Sequence, residues 1–365
     1  MHYDEQLLAK VDALLLEDSE YLLQRDKEAL LSSLLAMLDD MHRYRCSPYH
    51  AIFRHTNLSP LTTTRLAEFP YLAVRLFKLL SLKSIPNSGV FKVLRSSGTT
   101  GQKPAEIFLD RETSARQSKA LVKVMQPYIG KKRLPMLVID APSTVKGGHF
   151  SARSAGIQGM AFFGRSQTYA LNDDMSLNMQ AITSFCEKNA NEPVLLFGFT
   201  YMVWVYFVQA LIKTNTQISL PQGILVHSGG WKKLVDKQVT NSVFKETLQQ
   251  RIKLKAIHNF YGMAEQVGSV FVECEHGHLH APVMADVIIR SPYTLKPLAI
   301  GEEGLIQVLS ALPLSYPGHS ILTEDMGRIL GVDSCGCGRK GKYFEVTQRL
   351  PKTELRGCSD TVSEI

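Results

Sequence analysis

The sequence contains no block of basic residues interleaved with aromatics, although 41 Lys and Arg against 34 Asp and Glu give its 365 residues a formal charge of +7. The excess is spread along the whole chain, which argues against an extended nucleic-acid-binding face and leaves a mild attraction for anionic ligands or partners. An apolar leader is also lacking: the chain opens MHYDEQLL, with early acids and no small-residue cleavage site, so a cytoplasmic location is expected. No internal repeat or low-complexity linker interrupts it. One apolar run, 193–212, is long enough on paper to cross a bilayer. It divides into VLLFGF and a stretch opened by Thr200, with Gly198 at the break and Gln209 inside, which predicts a buried strand followed by a helix and no transmembrane segment.

What is present is ordinary for a large globular body: 45% hydrophobic and 21% charged residues support a sizeable core. Residues 1–60 carry leucines at helical spacing (LLAKVDALLLEDSEYLL, EALLSSLLAMLDDMHRY) with neither Pro nor Gly before Pro48, which predicts two amphipathic helices forming an N-terminal helical segment. From about 90 onward short β-rich runs (FKVLR, AEIFLD, PMLVIDA, VLLFGF, GILVHSG, LKAIHNFYG, GSVFVEC) alternate with helical ones. That alternation predicts an α/β domain over 61–332. The last stretch, 333–365, is dense in Gly, Cys, Lys and Arg and is expected to form a short appendage with little core of its own.

The sharpest local signal is Arg95-Ser96-Ser97-Gly98-Thr99-Thr100-Gly101-Gln102-Lys103-Pro104, set between the expected strands FKVL and AEIFLD. Glycines let the backbone approach an anion, hydroxyls and amides donate to phosphate oxygens, and Lys103 supplies charge. It is no Walker A loop, because Gly98 and Gly101 are too close together and no Lys-Ser/Thr pair follows. Taken alone, such a loop is commonly a surface turn. Downstream and in order come His227-Ser228-Gly229-Gly230-Trp231-Lys232, Asn259-Phe260-Tyr261-Gly262-Met263-Ala264-Glu265 and Thr323-Glu324-Asp325-Met326-Gly327-Arg328.

Together these four motifs resemble those of the adenylate-forming superfamily, which includes acyl-CoA ligases and luciferases; the resemblance runs from about residue 90 to the C-terminus. It implies that Ser97, Gly98, Thr99, Thr100, Gly101 and Lys103 hold the triphosphate of ATP. It also implies that Tyr261 stacks near the adenine, Glu265 binds Mg²⁺ and Asp325 grips the ribose. Gly229, Gly230, Gly262 and the hinge residue Arg349 complete the implied nucleotide set. The chemistry is consistent, since a carboxylate-bound Mg²⁺ completes its shell with phosphate oxygens and neutralising charge is the main task in displacing pyrophosphate.

Adenylate-forming enzymes normally continue past the hinge into a mobile C-terminal domain that bears an adenylation lysine. Here Gln348-Arg349-Leu350-Pro351 stands at the hinge and the sequence stops sixteen residues after Arg349, so that domain is expected to be lacking. Lys232, Lys352 and Arg356 are the candidates to replace its lysine. The ending Glu354-Leu355-Arg356-Gly357-Cys358-Ser359-Asp360 is similar to that of the acyl-protein synthetases of bacterial bioluminescence, the LuxE family. The resemblance implies that Cys358 takes the acyl group from the adenylate as a thioester and delivers it to an acyl-reductase subunit. The chemistry is sound: a mixed anhydride carries a good leaving group, and a thiolate beside Arg356 and Lys352 is an effective nucleophile.

A second constellation is Cys274-x5-His280 with Cys335-x-Cys337, soft donors suited to tetrahedral Zn²⁺. His276 and His278 are rivals for the imidazole position, and buried free thiols beside a solvent-facing His cluster are the alternative. The expected function is therefore ATP-dependent activation of a carboxylic acid, fatty by resemblance, with apolar residues over 197–207 able to line an acyl tunnel or simply to fill the core. The rival readings are an acyl- or aryl-CoA ligase and a non-catalytic subunit of a reductase complex.

Overall fold

Five of the seven β-rich runs become strands of one large sheet, because most of these are apolar on both faces and must be covered twice. The structure, a computed structural model, describes residues 5–17, 20–54, 65–95, 104–146, 152–230 and 239–350. The strands are β1 (Leu72–Ala73), β2 (Lys92–Arg95), β3 (Glu106–Leu109), β4 (Leu134–Val138), β5 (Gly164–Tyr169), β6 (Val194–Phe199) and β7 (Gly223–Ser228). They continue as β8 (Ala256–Tyr261), β9 (Phe271–Glu273), β10 (Leu279–His280), β11 (Ala285–Arg290), β12 (Gly304–Ser310), β13 (Ser320–Val332) and β14 (Lys342–Arg349). Among the described residues twelve of them form one sheet in the order β11-β12-β13-β14-β10-β9-β8-β7-β6-β4-β5, with β1 beside β13, while β2 and β3 make a separate hairpin.

The sheet has two halves. β5, β4, β6, β7 and β8 run parallel, and from β9 to β11 the path is antiparallel. In the parallel half alternate residues serve opposite faces. Leu195 and Phe197 of β6 point into one core, shared with the helix Arg111–Ile129. Val194 and Leu196 point into the other, shared with the helices Met179–Lys188 and Asn241–Ile252. Side-chain caps fix where these helices begin: Asp110, Asn178 and Thr240 accept from the backbone N–H three residues on.

The apolar run 193–212 is β6 followed by helical turns from Thr200 to Lys213, which include a π-helical stretch, Val203–Val208. No helix among the described residues is long and apolar enough to cross a membrane. The N-terminal leucines form helices Glu5–Leu14 and Gln24–Arg45, and a further short helix, Ser47–Phe53, follows. Leu31, Leu34, Leu35 and Leu38 lie in the same core cluster as Val272, Met284 and Leu309. A buried polar tie reinforces this: Gln24 Nε2 donates to Asp286 Oδ2 at 2.7 Å and Lys27 Nζ lies 3.6 Å from Asp286 Oδ1. The helical segment and the sheet thus share one core.

The stretch after 332 also departs from the expected appendage. β14 lies between β13 and β10, with Phe344 fully buried, so 342–349 belongs to the sheet. The remainder, 351–365, is outside the described residues.

Candidate active site at the carboxyl edge of the parallel strands

In open α/β sheets ligands collect at the carboxyl ends of parallel strands. β6, β7 and β8 end side by side at Phe199, Ser228 and Tyr261. Ser228 Oγ donates to the Phe260 carbonyl at 2.8 Å, tying the ends of β7 and β8. Behind them Thr200 Oγ1 lies 2.9 Å from His227 Nδ1, and burial pushes the imidazole down to about 3, so His227 is neutral and structural. Gly229 follows with φ +83°, and a Cβ there would come within 2.9 Å of the Phe199 ring, so this turn needs glycine. At Gly230 no atom of the described residues lies within 4 Å of where a Cβ would stand.

Tyr261, the last residue of β8, reaches into the antiparallel half, where its hydroxyl donates to Asp325 Oδ2 at 2.8 Å. Burial and the Asp325 charge hold the phenol well above its ordinary range, so it stays a donor. Asp325 is raised by burial, against which the Tyr261 hydrogen bond and the Arg349 charge act. Thr323 fixes the local backbone, its Oγ1 accepting from Asp325 N at 3.2 Å and donating to the Ile306 carbonyl at 2.7 Å. Arg349 stands opposite Asp325 in the β13–β14 register, with Nε 3.8 Å from Asp325 Oδ1 and Nη2 3.8 Å from Glu324 Oε2. Glu324 also pairs with Arg75.

Gly262 leads from β8 to the short turn Ala264–Gln266, which carries Glu265. That side chain is buried, and burial raises its carboxyl above the usual range against the opposing charges of Lys78 and Arg349. Its carbonyl accepts from the Tyr316 hydroxyl at 2.9 Å. Tyr261, Asp325 and Arg349 are therefore in one cluster, Glu265 feels Arg349 electrostatically, and Gly229 and Gly230 follow the neighbouring strand. Ser97, Gly98, Thr99, Thr100, Gly101 and Lys103 lie outside the described residues, as do Cys358, Lys232, Lys352 and Arg356. The strands flanking the first group pair at its base, Arg95 opposite Glu106, with Arg95 Nη2 3.2 Å from Glu106 Oε1.

Of the apolar residues over 197–207, Phe197 and Phe207 fill the cores on opposite sides of the sheet. Phe199 and Tyr201 instead join Ala141, Leu171 and Met202 in a small cluster. The motifs did not reveal Arg75 and Lys78. The sole sequence hint is a pair of cations around the apolar Leu76-Phe77, too common a pattern to single out.

A separate group joins the end of β9, β10 and the turn before β14. One ligand atom each from Cys274, His280, Cys335 and Cys337 falls within 4.8 Å of the others, a group able to hold a metal ion. Cys337 Sγ is 3.4 Å from His280 Nε2 and Cys274 Sγ is 3.9 Å from Cys335 Sγ. His278 Nδ1 also approaches Cys335 Sγ, at 3.4 Å, whereas the ring of His276 lies against Gly336.

The sheet, with its parallel and antiparallel halves and polar residues of both meeting at one edge, has the fold of solved acyl-CoA ligase structures. The chain superposes on 2-hydroxyisobutyryl-CoA ligase in an open conformation with 2-HIB-AMP and CoA, at a TM-score of 0.67 and 15% identity, covering 93% of this chain and 78% of that one. The same enzyme in its thioesterification state gives 0.67 and 14%, covering 91% and 70%. Within that fold the sequence pattern of the acyl-protein synthetases, LuxE, matches residues 1–365, and the chain belongs to that family. A long-chain-fatty-acid–luciferin-component ligase of Aliivibrio fischeri is 27% identical over 199 residues, 53% of this chain and 51% of that protein. Its counterpart in Vibrio harveyi is 25% identical over 181 residues, 48% and 46%. The chain thus spans about half the length of these relatives.

Proposed function

We propose that the protein activates a long-chain fatty acid with ATP and then carries the acyl group on Cys358. The observation that supports this best is the meeting of Tyr261, Asp325 and Arg349 at the carboxyl edge, with the buried Glu265 one turn away. A carboxylate oxygen of the acid attacks the α-phosphorus of ATP, the bond to the bridging oxygen breaks, and pyrophosphate leaves. Asp325, oriented by the Tyr261 hydroxyl, accepts from the ribose hydroxyls. Glu265 suits Mg²⁺, since a carboxylate in a desolvated setting gains most from a cation, and the ion would neutralise phosphate charge. Ser97, Gly98, Thr99, Thr100, Gly101 and Lys103 would cradle the phosphates.

In the second step the Cys358 thiolate attacks the acyl carbonyl, the bond to the AMP oxygen breaks, and AMP leaves. The thioester is then available to an acyl-reductase partner, and a reducing, cytoplasmic setting keeps the thiol free. The relatives' names are the ground for the long-chain acid. Phe199 and Tyr201, partly buried over the packed Leu171 and Met202, are the apolar side chains that would face it. Three thiols and one imidazole at Cys274, Cys335, Cys337 and His280 suit a structural Zn²⁺, whose ligand set would be closed and so hold β9, β10 and the β14 turn together.

The test is incubation with ATP, Mg²⁺ and labelled fatty acids of graded length, followed by intact-mass analysis and pyrophosphate exchange. A mass increase of one acyl group supports the reading. Acylated CoA in place of acylated protein identifies a CoA ligase, and absence of exchange with every acid identifies a non-catalytic subunit.

A further inference from the structure

Mg²⁺ demands near-ideal octahedral geometry, so a carboxylate and phosphate oxygens that share one ion must be held at a set separation. In this chain the two come from different sheets. Glu265 follows β8 of the large sheet, whereas the segment proposed to cradle the phosphates joins β2 to β3 of the separate hairpin. Adenylation therefore needs a connection that fixes one against the other.

One segment, 312–318, touches both. Leu312 and Leu314 are buried in the core cluster that holds the leucines of the helix Gln24–Arg45, and Tyr316 is buried in a second cluster with Ile107 and Leu109 of β3. The backbone of the segment is held at two carbonyls: His42 Nε2 donates to that of Pro313 at 3.0 Å, and Ser84 N donates to that of Ser315 at 2.8 Å. Burial keeps the His42 ring neutral, and a carbonyl only accepts, so Nδ1 is left to accept from Ser84 Oγ at 2.7 Å, which joins the two supports.

From this base two consecutive side chains reach the two parts of the site. Ser315 Oγ donates to the Phe108 carbonyl in β3 at 2.8 Å, and the Tyr316 hydroxyl donates to the Glu265 carbonyl at 2.9 Å. Both residues are fully buried, so water does not replace either bond. A Cβ at Gly318 would run into the Tyr316 ring and come within 2.7 Å of the Glu265 carbonyl, so the close approach needs glycine. Gln266 Nε2 donates to the Gly318 carbonyl at 2.8 Å, and the turn is thus bonded to the segment at two successive residues.

We propose that Ser315 and Tyr316 are positioning residues of the adenylation site, one holding the hairpin that bears the phosphate segment and the other holding the turn that bears Glu265. The proposal rests on the adenylation reading above, with Glu265 as the Mg²⁺ ligand. Neither residue touches substrate; each acts on where the ion and the phosphates meet.

The experiment compares the full chain with Tyr316→Phe and Ser315→Ala, each of which removes one hydroxyl. The readouts are Mn²⁺ binding in the presence of ATP by electron paramagnetic resonance, ATP and adenosine binding by calorimetry, and pyrophosphate exchange as a function of Mg²⁺, with folding checked by thermal melt. Tyr316→Phe should bind Mn²⁺ with ATP about tenfold more weakly and need about tenfold more Mg²⁺ for half-maximal exchange, the order lost with an outer-shell partner of a metal ligand. Its exchange rate at saturating Mg²⁺ and its affinity for adenosine should stay near the parental values. Ser315→Ala should weaken ATP binding severalfold and leave adenosine binding unchanged; it decides the matter alone if Tyr316→Phe does not fold. Folded variants that melt lower yet bind Mn²⁺ and ATP as the parent does, with an unchanged Mg²⁺ dependence, have lost only stability, and the proposal is overturned while the adenylation reading stands. A parent protein that neither binds ATP nor exchanges pyrophosphate overturns both.

Discussion

The hydroxyl of Tyr261 donates to Asp325 Oδ2 at 2.8 Å, linking the last residue of a parallel strand to the antiparallel half of the sheet. Sixty-four positions separate the two residues, so their geometry holds only while both halves are in register. Because Asp325 is half-buried, loss of this donor leaves a carboxylate poorly satisfied.

Tyr261→Phe should therefore lose about 1–2 kcal/mol of stability in denaturant melts, the order for a hydrogen bond to a charged group. It should also raise the KM for ATP severalfold with a smaller change in kcat, since an orienting contact is lost while the reacting groups remain. Asp325→Ala should fold and lose pyrophosphate exchange by about a hundredfold or more. Parental exchange in Asp325→Ala would remove the residue from the nucleotide site.

As the proposed Mg²⁺ ligand, Glu265 sets function against stability. Burial raises its carboxyl above the ordinary carboxyl range, so the folded chain holds this proton more tightly than the unfolded chain does. The stability that this proton contributes is complete below the ordinary carboxyl range and is lost as pH rises through the raised value. Glu265→Gln should accordingly melt higher than the parent at pH 7 without Mg²⁺ and ATP, with the difference closing toward pH 4. Its exchange activity should fall by about a hundredfold, since a neutral amide is a poor Mg²⁺ ligand. Melting curves across pH 4–8 measure the first effect; equal melting temperatures at every pH would show that the carboxyl is not destabilised in the folded chain.

The Cys274, His280, Cys335 and Cys337 group lies where three chain segments meet, so a bound ion would act on stability before chemistry. Purified protein should contain close to one zinc per chain by elemental analysis. Chelation under reducing conditions should lower the melting temperature by several degrees, because metal-binding energy is folding energy. Cys335→Ser should show the same loss and insensitivity to chelator. Metal-free protein with an unchanged melt would eliminate the site.

The parallel half was legible in the sequence because its strands are apolar on both faces: VLLFGF is β6 residue for residue, and GILVHS is β7. The edge strand β5, GRSQTY, was not, since its exposed central residues carry no apolar pattern. Much of the antiparallel half was hidden for a related reason. In β13, SILTEDMGRILGV, the polar run that places Glu324 and Asp325 at the site breaks the alternation that would mark a strand. The order of the motifs pointed to Tyr261, Glu265 and Asp325, but their juxtaposition depends on pairing between segments far apart in the chain. Arg75 and Lys78 owe their positions entirely to such contacts, with Glu324 and through Phe77 to Tyr316, which no local pattern records.

In the proposed mechanism adenylation and acyl capture fall to different residues, so they can be separated. Cys358→Ser should keep pyrophosphate exchange, because Tyr261, Glu265 and Asp325 are untouched, whereas a hydroxyl has no accessible anion at neutral pH and should lose rapid acyl transfer. In the parent, the acyl label should be released by neutral hydroxylamine and should map to the terminal peptide containing Cys358; an oxygen ester resists that treatment longer. Persistent hydroxylamine-sensitive labelling of Cys358→Ser would move the acceptor to another thiol, of which Cys186 is half-buried and Cys46 buried. Burial raises both of these thiols, Cys186 to about 11, so each is mostly protonated at neutral pH and a weak competitor for the acyl group. If neither protein is labelled and added CoA is acylated instead, the acceptor is the coenzyme and Cys358 has no part in the reaction.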